Sequence, residues 1–334
     1  MKIEFEHSQS AHCESGVTVN ILRFYGIRIS EPMVFGIGAG LFFSYMPFIR
    51  LHRMPVFSFR PLPGHIFARV TARLGIRMNK RRFLNENKSM EALDRLLAQG
   101  IPVGNVVGVF YLPYFPKEYR FHFNAHNICV FGKEGDVYTV SDPVSQVPNE
   151  LKHDELKRVR FARGTYPPMG KMYWVKRISA ASPDLRAAIL SGIRLNCNRM
   201  LDIPMPWFGV RGIRLLAAKM RRWEGKLGEK KAALQLAQVI RMLEEIGTGG
   251  AGFRYMYAAF LQEAAGTAER PALRELALEM TRIGDLWRDF AWEGARKFKR
   301  RGGDVCTYDA LADKLVAIAG AEKQFFTRLR EAVK

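Results

Sequence analysis

Three residues in this chain could do chemistry together. Cys13 lies in Ser8-Gln9-Ser10-Ala11-His12-Cys13-Glu14-Ser15-Gly16, where a polar segment gives way to an apolar, helix-like run of Val17, Val19, Ile21, Leu22 and Phe24. A thiol in the first turn of a helix feels the positive end of the helix dipole, which favours the thiolate. His126 follows in His126-Asn127-Ile128-Cys129-Val130-Phe131-Gly132, and Asp142 in Val140-Ser141-Asp142-Pro143. A cysteine at a helix start, a histidine on a strand and an aspartate ending the next strand have the order of a nucleophile, its base and the group that orients the base. The histidine would hold the cysteine as thiolate and later pass a proton to the leaving group. The aspartate would accept from the imidazole and set its tautomer. Taken singly, each has a plainer reading: a small inert residue, a core or surface histidine, a turn residue before proline. The signal is the ordered trio.

The other histidines are worse placed. His122 is expected on the same strand and face as His126, roughly 13 Å along it. His12 adjoins Cys13 and would point elsewhere in a regular element, while His7, His52, His65 and His153 lie in poorly defined contexts.

The trio needs a frame. Residues 13–25 read as a helix. Pro32 to Ile49 is an uncharged run of 18 residues, barely long enough to span a bilayer. Its glycines and prolines favour a buried segment lining an apolar groove instead. Gly36-Ile37-Gly38-Ala39-Gly40 looks like a dinucleotide loop only superficially, because the third glycine is misplaced for GxGxxG. Ser89 to Gly100 reads as a helix with Ser89 as N-cap and Leu93, Leu96 and Leu97 as its stripe. Strands are expected over 101–110, 121–130, 136–142 and 171–175, the middle two forming a hairpin through Gly132-Lys133-Glu134-Gly135. Beyond Pro183 helical periodicity dominates, as in Leu273, Leu276, Met280, Ile283, Trp287 and Phe290. Four to six helices are expected there. The fold class is therefore α+β over 1–180, followed by an all-α helical domain over 181–334.

Composition narrows the function. The chain has 334 residues, 48% of them hydrophobic, so it can build a real core. Its four cysteines are scattered with no CxxC pair, which argues against a zinc site or a disulfide framework. The N-terminus lacks a hydrophobic signal core, and free thiols fit a reducing compartment, so a cytoplasmic location is expected. The net charge is +20 and uneven. Residues 151–230 carry 18 Lys and Arg against 6 Asp and Glu, a net of +12. Such a surface attracts something acidic, whether nucleic acid, an anionic membrane touched peripherally or an acidic protein. With no zinc-finger spacing and no RNP-type motif, nucleic acid is not expected.

Longer stretches carry a family resemblance. His12-Cys13…Gly26…Ser30-Glu31…Phe35-Gly36-Ile37-Gly38-Ala39-Gly40-Leu41, Tyr111-Leu112-Pro113-Tyr114, His126…Gly132 and Asp142-Pro143 resemble the N-terminal domain of the butirosin biosynthesis protein H family. Gly209-Val210-Arg211-Gly212-Ile213…Trp223 and the run from Gly247 to Leu261 look like the helical domain that usually follows it. The resemblance implies a papain-like, C39-like catalytic domain, with Cys13 as acyl-accepting nucleophile, His126 as base and Asp142 as orienter. It also implies transfer of an acyl group from a carrier protein to an amine. One departure stands out. Papain-like enzymes carry an oxyanion-hole glutamine six residues before the cysteine, where this chain has His7; Gln9 is near but out of register.

The expected function is an acyltransferase. It would take an acyl group from an acidic acyl carrier protein, or from coenzyme A, and pass it to an amine or hydroxyl of a small-molecule or lipid acceptor in biosynthesis. The donor is phosphopantetheine-linked, and no cofactor or metal is tightly bound. Substrate contacts are expected from Gln9, Gly38 in the apolar run, Tyr111, and Gly249, Gly250, Arg254 and Tyr257. Glycines before a helix leave N–H groups free for an anion, with Arg254 one turn in; close helix packing explains them equally well. A helical second domain is compatible with a homodimer. Two other readings stand beside this: a cysteine peptidase or amidase, and a non-catalytic papain-like scaffold that binds an acidic partner or a membrane.

Overall fold

Cys13 opens the first helix. The computed structural model describes residues 3–51, 54–179, 183–299 and 306–334. In chain order the elements are α1 (Cys13–Phe24), α2 (Glu31–Ile37), β1 (Ser44–Leu51), β2 (Met54–Ser58), α3 (His65–Arg73), β3 (Ile76–Arg81), α4 (Glu86–Ala98) and β4 (Val103–Val107). Then come β5 (His126–Glu134), β6 (Val137–Ser141), β7 (Asn149–Lys152), α5 (His153–Arg160) and β8 (Met172–Ile178). The remainder is helical: α6 (Leu185–Leu201), α7 (Gly209–Met220), α8 (Trp223–Leu227), α9 (Glu229–Glu244), α10 (Arg254–Thr267), α11 (Ala272–Lys299) and α12 (Tyr308–Ala332). The class is α+β, with antiparallel sheets and a helical C-terminal region.

The chain divides into two compact units, Met1–Val34 with Phe67–Pro183, and Phe35–Ile66 with Asp184–Lys334. Phe35–Ile66, assigned above to the first domain, therefore packs with the helices of the second. The cause is apolar matching. Phe35 stacks on Phe253 at 4.9 Å, Phe43 on Trp287 at 5.9 Å, and a Cβ on Gly36 would lie 2.1 Å from the Phe260 ring. The uncharged run thus ends as α2 and the buried start of β1. No helix among the described residues is long and apolar enough to cross a membrane.

The first unit is built on a six-stranded antiparallel sheet in the order β3-β8-β4-β5-β6-β7. Val103, Val107, Ile128, Val130 and Val140 form its core with Leu93 and Leu97 of α4 and Leu156 and Val159 of α5. β-branched residues at every second position fit a pleated, buried face. Three local expectations need correction. β5 starts at His126, so His122 lies outside the strand, where its ring stacks on Phe110 at 4.0 Å. The hairpin turns at Gly135-Asp136, because Gly132 sits in β5 at a register shift and Gly135 adopts φ +55°. Asn85, not Ser89, caps α4: its side chain accepts from the Lys88 amide, while the buried Ser89 hydroxyl accepts from Arg160.

Beyond Pro183 the described residues form seven α-helices in place of the expected four to six. The additions are short pieces such as α8, closed by Gly228 at φ +74°. The predicted stripe from Leu273 to Phe290 is the buried face of α11.

Candidate active site

The helix that presents Cys13 is held at its start. Cys13 is its first residue and is buried. The Ala11 and His12 amides donate to the two carboxylate oxygens of Glu31, at 2.9 and 2.8 Å. The His12 ring caps the helix, its Nδ1 accepting from the Ser15 amide. One turn in, Gly16 lets the helix approach the Asp142 turn: a Cβ there would lie 2.5 Å from Cβ of Pro143. The strand-like segment before the helix is laced to that same turn. The Ser10 amide donates to the Pro143 carbonyl at 2.7 Å, and His7 contacts Ser141 and Ser145.

At the first residue of β5, His126 is buried, and its Nε2 donates to Oδ2 of Asp142 at 2.8 Å. That leaves Nδ1 for the Cys13 side chain, which hydrogen-bonds the ring. The Phe115 ring stands edge-on to the imidazole at 5.7 Å. Asp142 is fully buried and fully used. Its Oδ2 also accepts from the Tyr114 hydroxyl at 2.9 Å, and its Oδ1 from the Val144 amide at 3.2 Å. A buried carboxylate is stable only with such partners. Burial alone would lower the pKa of His126; the Asp142 carboxylate and the Cys13 sulfur outweigh it and raise it from 6.5 to about 10. Burial and the same carboxylate push the Tyr114 hydroxyl well above its usual range, so it stays a donor.

Such an arrangement can hold a sulfur anion beside an imidazolium and return a proton to a leaving group. A second carboxylate lies close by. Glu14, next to Cys13, is buried and accepts from the Phe67 amide in the first turn of α3 at 3.0 Å. It also faces Arg69 and Lys171. Among the described residues no group of three or more His, Cys, Asp or Glu could hold a metal ion.

The remaining predicted contacts have other partners. His7, at the position of the oxyanion glutamine, has both ring nitrogens engaged: Nδ1 with the Ser141 hydroxyl at 2.8 Å and Nε2 with the Ser145 carbonyl at 3.1 Å. It braces the Asp142 turn. Gln9 is exposed, and its amide donates to the Val144 carbonyl at 3.4 Å. Tyr111 carries the Arg158 guanidinium over its ring at 4.1 Å. Gly38 belongs to the second unit, where a Cβ would lie 2.5 Å from Ile66.

Gly249, Gly250, Arg254 and Tyr257 also lie in the second unit, and packing accounts for them. Gly249 and Gly250 adopt φ +65° and +87°, and a Cβ on Gly250 would strike Arg288. The loop does meet an anion, but one from its own unit: the Ala251 amide donates to the Glu244 carboxylate at 3.2 Å. Arg254 is fully buried, its Nε donating to Oε1 of Glu322 at 2.9 Å and its Nη1 to the Gly252 carbonyl at 2.8 Å. Trp287 donates to the same Glu322 oxygen at 2.7 Å. The guanidinium is thus neutralised internally rather than offered to a phosphate, and Tyr257 is fully buried. Removing one partner of such a pair strands a buried charge. Glu322→Leu is expected to destabilise the helical unit by about 3–5 kcal/mol, read from denaturant unfolding; a loss under 1 kcal/mol would count against this account.

Two functional-looking residues were missed. Tyr114 lies in the Tyr111-Leu112-Pro113-Tyr114 stretch, but no local pattern distinguishes it from Tyr111; only the fold shows which hydroxyl reaches Asp142. Glu31 reads as an ordinary first-turn acid of α2, yet it clamps the segment before Cys13.

Two family models match the chain. Residues 12–143 match the family described as butirosin biosynthesis protein H, N-terminal, a span that holds Cys13, His126 and Asp142. Residues 154–329 match a domain of unknown function, DUF4872. No curated protein matches the chain. Among solved structures, one described as a C39-like peptidase from Bacillus anthracis aligns with 13% identity and a TM-score of 0.36, covering 54% of this chain and 100% of that one. Values that low leave the chemistry to be argued from this chain's own residues. With more than half of its length matched by DUF4872 and its first part by the butirosin protein H N-terminal model, the chain belongs to the DUF4872 family and carries a butirosin biosynthesis protein H-type N-terminal domain.

Proposed function

We propose that the chain is a cysteine acyltransferase that takes an acyl group from a phosphopantetheine-type thioester and passes it to an amine or hydroxyl. The observation that carries this reading is the buried relay in which Cys13 hydrogen-bonds His126 and His126 donates to Asp142. The Cys13 thiolate attacks the thioester carbonyl; the carbon–sulfur bond to the donor breaks, and His126 gives its proton to the departing thiolate. This exchange replaces one thioester by another and needs little driving force. The acceptor amine or hydroxyl then attacks the acyl-enzyme. His126, now neutral, takes its proton as the Cys13 thiolate leaves. Asp142 holds Nε2 protonated throughout, so Nδ1 stays toward the sulfur. The thiols of Cys13, Cys129, Cys197 and Cys306, none of them in a disulfide, fit a reducing, cytoplasmic setting.

Intact-mass measurement after incubation with acyl-carrier and acyl-coenzyme A thioesters tests this. The expected result is an acyl adduct on the wild type that is absent from Cys13→Ala. Adduct formation followed by hydrolysis with every acceptor tried would convert the reading to an amidase. Absence of any adduct would sink it.

A further inference from the structure

Two long stretches of this chain contain no acid. No Asp or Glu occurs between Glu31 and Glu86, or between Glu155 and Asp184. The fold of the first unit brings parts of both side by side as paired strands. β3, the edge strand of the sheet, carries Arg77, Lys80 and Arg81, with Arg82 next in sequence, and all four are exposed. β8 beside it carries the exposed Lys176 and Arg177. The register sets Arg77 directly opposite Arg177. Like charges facing across a strand pair destabilise it, so the sheet itself does not favour this arrangement.

Protection of a sheet edge explains part of it, since cations on an edge strand discourage pairing with another chain. That purpose needs one or two charges on β3. It accounts neither for the cations on β8 nor for the way the patch continues inward. Lys171, just before β8, is half-buried, and its ammonium is destabilised first by burial and then by the neighbouring charges of Arg82 and Lys80. The Lys80 ammonium lies over the Phe67 ring at 5.6 Å, and that ring meets Tyr173 at 4.4 Å. The Phe67 amide in turn donates to the carboxylate of Glu14, the residue after Cys13, at 3.0 Å. The inner border of the patch is therefore the neighbourhood of Cys13.

We infer that the β3–β8 edge is the docking surface for an acidic carrier protein that presents its thioester arm to Cys13. This rests on the acyltransferase reading and selects a carrier protein over coenzyme A as donor. Residues 77–82 extend about 17 Å along the strand at ~3.3 Å per residue, far more than one phosphate or one nucleotide covers. The side chains are long, exposed and unenclosed, which suits a complementary protein face. It takes only Lys171, Lys176 and Arg177 from the linear 151–230 stretch, which the fold divides between two units at Pro183–Asp184, and adds the cations of β3.

The test compares two double variants of equal charge change, Arg77→Glu with Arg81→Glu, and Arg214→Glu with Lys219→Glu on α7. Each is assayed for Cys13 acylation by a panel of octanoyl-carrier proteins and by octanoyl-N-acetylcysteamine, an uncharged thioester. Steering by opposite charge changes association rates by about 10- to 1000-fold. The β3 variant should lose about tenfold or more in kcat/KM with carrier proteins at low salt, lose much of the salt dependence, and stay within about twofold with the small thioester. The α7 variant should behave as wild type. Equal losses in both variants, equal losses with both donors, or no loss would each overturn the docking surface. If neither kind of donor acylates Cys13, the acyltransferase reading fails separately. The surface is then tested by carrier-protein binding to Cys13→Ser at low salt. Binding abolished by the β3 variant sustains the surface; absence of binding, or a requirement for these residues only with phosphatidylglycerol vesicles or duplex DNA, overturns it.

Discussion

His126→Ala is expected to slow alkylation of Cys13 at pH 6 by about a hundredfold, allowing for the lower intrinsic nucleophilicity of a stabilised thiolate. A free cysteine at that pH is thiolate only at a level of roughly 0.3%, for a pKa near 8.5. Cys13 sits at a helix N-terminus beside an imidazole whose pKa is raised to about 10, so the pair can exist as thiolate and imidazolium well below pH 8. Removing the imidazole returns the thiol to the weaker pull of the helix alone. The measurement is iodoacetamide labelling followed by mass spectrometry, in a Cys306→Ser background. Cys129 and Cys197 contribute little, because both are buried and burial pushes their thiols up, Cys197 to about 12. Wild-type Cys13 reacting no faster at pH 6 than free cysteine, or equally fast with and without His126, would remove the case for a nucleophile.

Asp142→Ala is expected to destabilise the first unit by about 3–5 kcal/mol. Three donors lose their acceptor at once: Nε2 of His126, the Tyr114 hydroxyl and the Val144 amide. Asp142→Asn keeps the shape and should cost less in stability, but it removes the charge that supports the imidazolium. The pH dependence has a definite sign. The folded-state pKa of His126 lies above its unfolded value, so its stabilising contribution is fully present below about 6.5 and is lost as pH rises through about 10. The Cys13 thiolate lacks the proton that its unfolded thiol keeps below about pH 8.5, which offsets the imidazolium near neutral pH. Wild-type stability should therefore fall mainly between about pH 8.5 and pH 10, and this fall should flatten in Asp142→Asn. Urea unfolding at pH 6.5 and pH 10 gives the comparison. A slope unchanged by Asp142→Asn would show that the ion pair does not contribute.

Residues near one another in sequence were read most successfully. α1 is visible because an apolar stripe follows a polar segment, and β5 and β6 because alternating apolar residues flank a glycine turn. The ordered trio was legible for the same reason: each member sits at the boundary of an element that can be recognised locally. Boundaries themselves were less secure. The expected strand takes in five residues before β5, because Phe121 and Phe123 continue its alternation, although the chain there bends toward Phe110.

The sequence alone determined the α+β class, the helical second half, the excess of positive charge and the order in which Cys13, His126 and Asp142 occur. Those features depend on periodicity and composition, which neighbouring residues encode. Only the tertiary structure decided partners. It gave Arg254 to Glu322, chose Tyr114 over Tyr111 for Asp142, and used His7 to brace a turn rather than to stabilise an oxyanion. It also sent Phe35–Ile66 to the second unit and set the two acid-free stretches side by side as β3 and β8. Pairing energies act through space over a few ångströms, so a charged or aromatic residue acquires its role from whatever the fold brings against it.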